Sequence, residues 1–234
     1  STDVMSQAGD EGRFVPFARP RWRESAFVAL QFYYAFTILR EFAAEKNDAE
    51  YLKYLEEKQE ALGKKLIELC WDGDRFIRGY TEEGETIGKG TDPEANMWLN
   101  PQSWSVISGL ADKEHASAII KKLSLLETNF GILTCEKNDA LGTYQWNYPN
   151  GWACLQYITI VGLDNYGFKT EAKRIARKYI SLVDKVFEET GNLWEKYNVV
   201  DGSINVTNEY DMPPMLGWTS GVYLFCKRML DGLK

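Results

Sequence analysis

The sequence predicts an all-α fold of helical hairpins nested in two concentric layers, an α/α toroid, and three observations predict it. Helices that are apolar nearly all round alternate along the chain with helices that carry a single apolar stripe. A helix without a polar face has to be covered on every side, whereas a striped helix covers one neighbour and turns the rest to water. The pair occurs three times and one further apolar helix follows, which is more wholly apolar helix than a four-helix bundle requires. Long connections at 72–99, 128–149 and 191–216 each lead into an apolar helix, so these loops and the inner N-termini gather at one face. Loops of that length inside a compact domain are usually functional.

Taken in order, residues 1–22 form an irregular polar segment punctuated by Gly9, Gly12, Pro16 and Pro20. The stretch from Arg23 to Lys46 is an inner helix, with Phe27, Leu30, Phe32, Phe36, Leu39 and Phe42 distributed around it. Ala49 to Cys70 is its outer partner, where Leu52, Leu55, Leu62 and Leu66 make a stripe against Glu56, Glu57, Lys64 and Lys65. Asn100-Pro101 opens the second inner helix, with Pro101 at the favourable first position, and an amphipathic helix follows from Asp112. Asn150, a good N-cap, opens the third inner helix, which ends near Gly167, and its outer partner runs from Thr170. The last inner helix begins at Gly217. Short extended pieces at Arg75–Arg78 and Val199–Val200 are expected to form small β-hairpins on the loop face.

Composition narrows the function. With 234 residues and 44% hydrophobic content the chain can bury a sizeable core and is read as one domain, 1–234. A net charge of −7 with no basic block argues against nucleic acid and anionic membrane as partners. Lys, Arg and Glu interrupt every run that is long enough to span a bilayer. The four cysteines, Cys70, Cys135, Cys154 and Cys226, lack CxxC spacing and read as buried free thiols, which fits the cytoplasm. If a signal had been removed, the periplasm or the exterior would be the location instead. The single histidine, His115, lies in a polar run and reads as a surface residue, so neither a zinc site nor a Ser-His-Asp triad is expected. Asp72-Gly73-Asp74 begins like a calcium loop, but Phe76 stands where the next oxygen ligand belongs. No metal and no cofactor are expected.

One stretch concentrates the candidate chemistry. Gln145 to Trp152 reads QWNYPNGW, placing flat aromatic faces beside amide donors and acceptors on a loop that leads into a helix. Sugars present C–H faces that stack on aromatic rings and hydroxyls that need paired hydrogen-bonding groups. Trp146, Tyr148 and Trp152 are the candidate platforms, and Gln102, Gln145, Asn147 and Asn150 the candidate hydrogen-bonding groups. Trp98 is a weaker candidate, as is Trp104, and Gly151 is read as letting backbone approach a ligand. The same composition also fits an aromatic loop that plugs a core.

QWNYPNGWACLQ resembles the trehalase signature QWDxPNGWAPLQ, with Asn147 for Asp and Cys154 for Pro. Phe187-Glu188-Glu189-Thr190-Gly191, Glu195-Lys196-Tyr197, and Glu209-Tyr210 followed by Gly217-Trp218-Thr219-Ser220-Gly221 resemble later segments of that family in order. The first half is similar to the cellobiose and chitobiose phosphorylases, at Glu24-Ser25-Ala26, at Cys70 to Arg78 and at Trp98 to Trp104. Both groups imply the α/α toroid, but one passes the glycosyl group to water and the other to phosphate. A complete toroid of this kind has six hairpins, so an incomplete one is expected here, finished by a missing segment or a second chain.

The trehalase resemblance implies an inverting glycosidase acting on a small carbohydrate, with Glu209 as the base. It also implies an acid in a glycine-flanked loop before an arginine, matched nearest by Asp10 or Glu11 ahead of Arg13. A disaccharide phosphorylase and a carbohydrate-binding remnant without turnover are the alternatives.

Overall fold

The structure, a computed structural model, describes residues 22–81, 83–91, 96–138, 144–206, 209–214 and 217–232. In chain order these form β1 (Trp22–Ser25), α1 (Ala26–Glu45), α2 (Ala49–Cys70), β2 (Gly79–Thr81), β3 (Thr86–Ile87), α3 (Leu99–Ile107) and α4 (Lys113–Leu123). They continue with β4 (Asn150–Trp152), α5 (Ala153–Asn165), α6 (Lys169–Thr190), β5 (Lys196–Asn198) and α7 (Gly217–Asp231). The irregular segment expected at 1–22 lies, but for Trp22, outside the described residues, and so does Asp10.

The layers follow from the burial each sequence pattern demands. Helices α1, α3, α5 and α7 stand side by side as an inner row, α2 packs on α1, and α6 packs on both α5 and α7. Helix α5 buries Leu155, Ile158, Ile160 and Leu163 on several sides. Helix α6 buries one stripe, Ile175, Tyr179, Leu182, Val183 and Val186, and turns Arg174 and Arg177 outward. Helix α4 buries only Ala116, Ile119 and Leu123. The fold is thus the α/α toroid of two helical layers, and one continuous core runs through it from Leu30 to Cys226.

The end of the inner row differs from expectation. Helix α1 is not covered all round: Val28, Phe32, Leu39 and Phe42 are exposed, Phe32 at 59%. Their spacing of four, seven and three residues puts them on one face of the helix. A helix at the end of a row has an inner neighbour on one side only, and α7 at the other end likewise exposes Leu224.

Boundaries shift where strands take residues assigned to helices. Helix α3 begins at Leu99, so Pro101 is its third residue rather than its first. Asn150 does not cap α5; it pairs with Asn198 in the antiparallel β4–β5 ribbon, and the helix starts only after Trp152. The expected hairpin at 75–78 falls a few residues later, as β2 paired with β1 and β3. The strand expected at Val199–Val200 lies slightly earlier, as β5. His115 is half-buried rather than superficial: its backbone N–H donates to Asp112 Oδ1 at 2.8 Å, and its ring packs edge-on against Trp71. Cys70, Cys135 and Cys226 are buried and Cys154 is half-buried, and none of the four is in a disulfide among the described residues. Among the described residues no helix is long and apolar enough to cross a membrane.

Candidate active site

Two of the inner helices begin by the same construction. Trp98 and Trp152 stand at the N-caps of α3 and α5, and four residues later come Gln102 and Gln156. Each glutamine clamps one residue of a neighbouring loop by its backbone. Gln102 Oε1 accepts from Phe76 N–H at 2.9 Å and its Nε2 donates to Phe76 C=O at 2.7 Å. Gln156 treats Ile132 in the same way, at 3.1 and 2.7 Å. A cation lies over each indole: the Arg78 guanidinium is 4.0 Å from the Trp98 ring and the Lys196 ammonium 4.6 Å from the Trp152 ring.

This construction reassigns several candidates. Gln102 is 1% exposed and spends both ends of its amide on Phe76, so it is a structural clamp and not a sugar contact. Trp98, 3% exposed beneath Arg78, is core. Trp152 is 1% exposed, with Trp146 stacked on it at 4.0 Å, Lys196 over its ring and Trp218 against it edge-on. It therefore has no face to offer a sugar. Asn150 is fully buried and its Nδ2 donates to Gln145 C=O at 2.9 Å, as does Trp152 Nε1. Asn147 is buried as well, and its N–H closes a turn onto Tyr144 C=O. Gly151 serves packing: a Cβ there would lie 2.3 Å from Val199 Cγ1 and 2.9 Å from Ile132 O. Among the expected contacts, Gln145, Trp146 and Tyr148 remain half-exposed at the mouth of the loop.

The loop meets Glu209, the carboxylate expected as the base. Glu209 Oε2 accepts the Gln145 N–H at 3.0 Å, next to Trp146. Burial pushes the Glu209 carboxyl above the usual range, against the lowering influence of that N–H and of Lys196.

A second acid, given no role in the sequence reading, lies in the same cluster. Glu195, 9% exposed, precedes β5 and receives Lys196 Nζ on Oε2 at 2.7 Å. Tyr210 Oη lies 2.6 Å from the same oxygen and 2.8 Å from Gln145 Oε1. A phenol has one proton to give, and the charged acceptor takes it. Trp218 Nε1 donates to Glu195 C=O at 3.0 Å, which ties the acid to the start of α7. Lys196 is wholly buried between the Trp152 and Tyr210 rings, at 4.6 Å from each. Burial lowers its pKa, partly offset by Glu195 and Glu209. The signal for this cluster was the pair Glu195-Lys196 itself, since adjacent opposite charges in a segment that ends in tyrosine need not face water.

The site therefore joins two carboxylates, a buried ammonium and a phenol to one side of an aromatic loop, at the face where the inner helices α5 and α7 begin. The fold that carries it is that of the α/α-toroid proteins. The trehalase family model matches residues 29–231, and the chain belongs to the trehalase family. It is 32% identical over 149 residues to a probable trehalase of Eremothecium gossypii, covering 60% of this chain and 19% of that protein. Over 108 residues it is 30% identical to a 3-O-beta-D-glucopyranosyl-beta-D-glucuronide phosphorylase of Paenibacillus borealis, covering 46% of this chain and 14% of that one. The neutral trehalase Nth1 of Saccharomyces cerevisiae superposes with a TM-score of 0.71 at 23% identity, covering 86% of this chain and 37% of the yeast chain. The chain thus spans well under half the length of the relatives it matches.

Proposed function

We propose that this chain carries one wall of the active site of a glycoside hydrolase that cleaves a small glucoside by inversion, with trehalose the first substrate to test. The observation that carries this reading is the meeting of Glu195 and Glu209 beside the Trp146–Tyr148 loop in a chain of the trehalase family. Inversion needs an acid to protonate the leaving oxygen and, ~6.5–9.5 Å away, a carboxylate that draws a proton from the attacking water. Glu195 fits the second role. Among the described residues Lys196 and Tyr210 both meet Oε2, and Oε1 is the oxygen this reading assigns to the water. Glu209 is the second choice, favoured by the burial that raises its carboxyl and so makes it the stronger base. The acid is assigned to Asp10 on resemblance alone.

Incubation with trehalose, maltose or cellobiose, with and without phosphate, tests the reaction. Free glucose alone, with 1H NMR showing the first-formed anomer inverted, supports hydrolysis. Glucose 1-phosphate supports the phosphorylase reading, which the Paenibacillus relative favours. Saturable binding without turnover means that this wall recognises sugar but lacks its acid. Glu195→Gln and Glu209→Gln separate the two carboxylates. Loss of about 10²–10⁴ in kcat is expected of the base, and a larger loss from the Glu209 variant would transfer the role to it. The exposed face of α1 and exposed Leu224 on α7 support a toroid completed by further hairpins, in a longer polypeptide or a second chain.

A further inference from the structure

We propose that Lys196 is a positioning residue for the base. Its buried ammonium clamps Glu195 through Oε2 and fixes that carboxylate against the Trp146–Trp152 stack, so that Oε1 is presented in one direction. The proposal rests on the reading of Glu195 as base and deepens it.

The geometry supports it from three sides. The β4–β5 register sets Lys196 opposite Trp152, so the strand pairing itself delivers the ammonium to the indole face. The Tyr210 ring closes the other side at 4.6 Å, and Tyr210 Oη lies 3.4 Å from Nζ. The ion pair with Glu195 is 2.7 Å, with the lysine side chain at 0% exposure and the glutamate at 11%. A lysine is seldom buried fully unless paired, and a surface-type ion pair needs no aromatic walls. The groups that face the pair are Glu209, whose charge acts on Lys196, Tyr210, and Cys154, whose thiol is pushed up to about 12 chiefly by burial and feels Glu195. Burial lowers the Lys196 pKa, which places release of this proton, and with it loss of the clamp, below the ordinary lysine value of about 10.4. Arg78, 1% exposed over Trp98, occupies the corresponding place at the start of α3, so an arginine side chain is accommodated in a setting of this kind.

The test is kinetic and spectroscopic. Lys196→Met is expected to lower kcat about 10–100-fold with KM within about threefold, and Lys196→Arg to recover at least half of that loss on a logarithmic scale. In a Glu195→Gln background Lys196→Met is expected to have little further effect on kcat, since the lysine acts through that carboxylate. Equal additive losses in both backgrounds, or a change confined to KM, would overturn the proposal. Tryptophan fluorescence of the wild type, titrated from pH 7 to 11, is expected to show a step below the lysine range, because the titrating nitrogen lies against Trp152. Absence of that step also overturns the proposal, and this measurement needs neither turnover nor a folded Met variant. A protein that shows the step but neither binds nor cleaves any of these sugars would sink the hydrolase reading while leaving the clamp in place.

Discussion

Gly151→Ala isolates the packing that holds the site together. The added methyl would lie 2.3 Å from Val199 Cγ1 and 2.9 Å from the Ile132 carbonyl oxygen. Val199 follows β5 directly, and Ile132 is the residue clamped by Gln156. Neither can swing away as a long surface side chain would. Overpacking a filled core costs about 1–3 kcal/mol, and a contact with backbone puts this case near the upper end, about 3 kcal/mol. Relief has to come from parting β4 and β5, which also moves Lys196 away from Trp152. Urea unfolding followed by far-UV circular dichroism measures the loss as a lower midpoint. Val199→Ala alone is expected to cost about 1.5–3 kcal/mol. Combined with Gly151→Ala it removes the closest clash and leaves those with the Ile132 carbonyl at 2.9 Å and Gln156 Nε2 at 3.2 Å, so the double variant is expected to lose at least about 1 kcal/mol less than the sum. A Gly151→Ala protein within about 0.5 kcal/mol of wild type, or strict additivity of the two changes, would refute the packing argument.

Other consequences are measurable. Gln102→Leu and Gln156→Leu each strand a buried N–H and C=O, of Phe76 and Ile132 respectively, and are expected to cost about 2–5 kcal/mol in the same unfolding assay, with the larger activity loss for Gln156→Leu beside the site. Glu127 is raised by burial, but the bonds and charges of Arg174 and Lys178 outweigh this and leave its carboxyl below the usual range. A carboxyl depressed in the folded state stabilises above its unfolded pKa of about 4.3 and loses that share as pH falls through the folded value. Glu127→Gln is therefore expected to cost about 1–2 kcal/mol at pH 7 and to flatten the decline in stability below pH 4. Burial pushes the thiols of Cys135, Cys154 and Cys226 up to about 12, so a thiol reagent at pH 8 is expected to label none of these three in the native protein and all of them in urea.

Periodicity made the outer helices easy to read. Helix α2 runs from Ala49 to Cys70 as the leucine stripe requires, and α4 begins after Asp112, whose side chain caps it. Such signals are local, because a striped helix carries its own instruction. The inner helices were harder to delimit, since their starts depend on partners distant in sequence. Asn150 looks like a cap until Asn198 is brought beside it as a strand partner. The burial of α1 likewise depends on how many neighbours surround it, which its own residues cannot specify. At the site, the loop from Gln145 to Trp152 and its meeting with Glu209 were legible. The division of labour within the loop was not. Indoles and amides that would suit a sugar equally suit a core, and it is the enclosing fold that makes Trp152 and Gln102 spend their surfaces on protein. Glu195 and Lys196 escaped because a charged pair reads as solvated until a fold encloses it.

The paired starts of α3 and α5 have an implication for how such a site arises. Each is a joint that fastens a loop to a helix with an indole, a cation and an amide, and at the first of them, around Trp98, the cation is Arg78. At the second, around Trp152, a carboxylate is set against the same hardware, so the cation at this joint also pairs with Glu195, the proposed base. Tolerance to change should diverge accordingly: the first joint can accept any replacement that keeps its grip, whereas the second must keep both its grip and its aim.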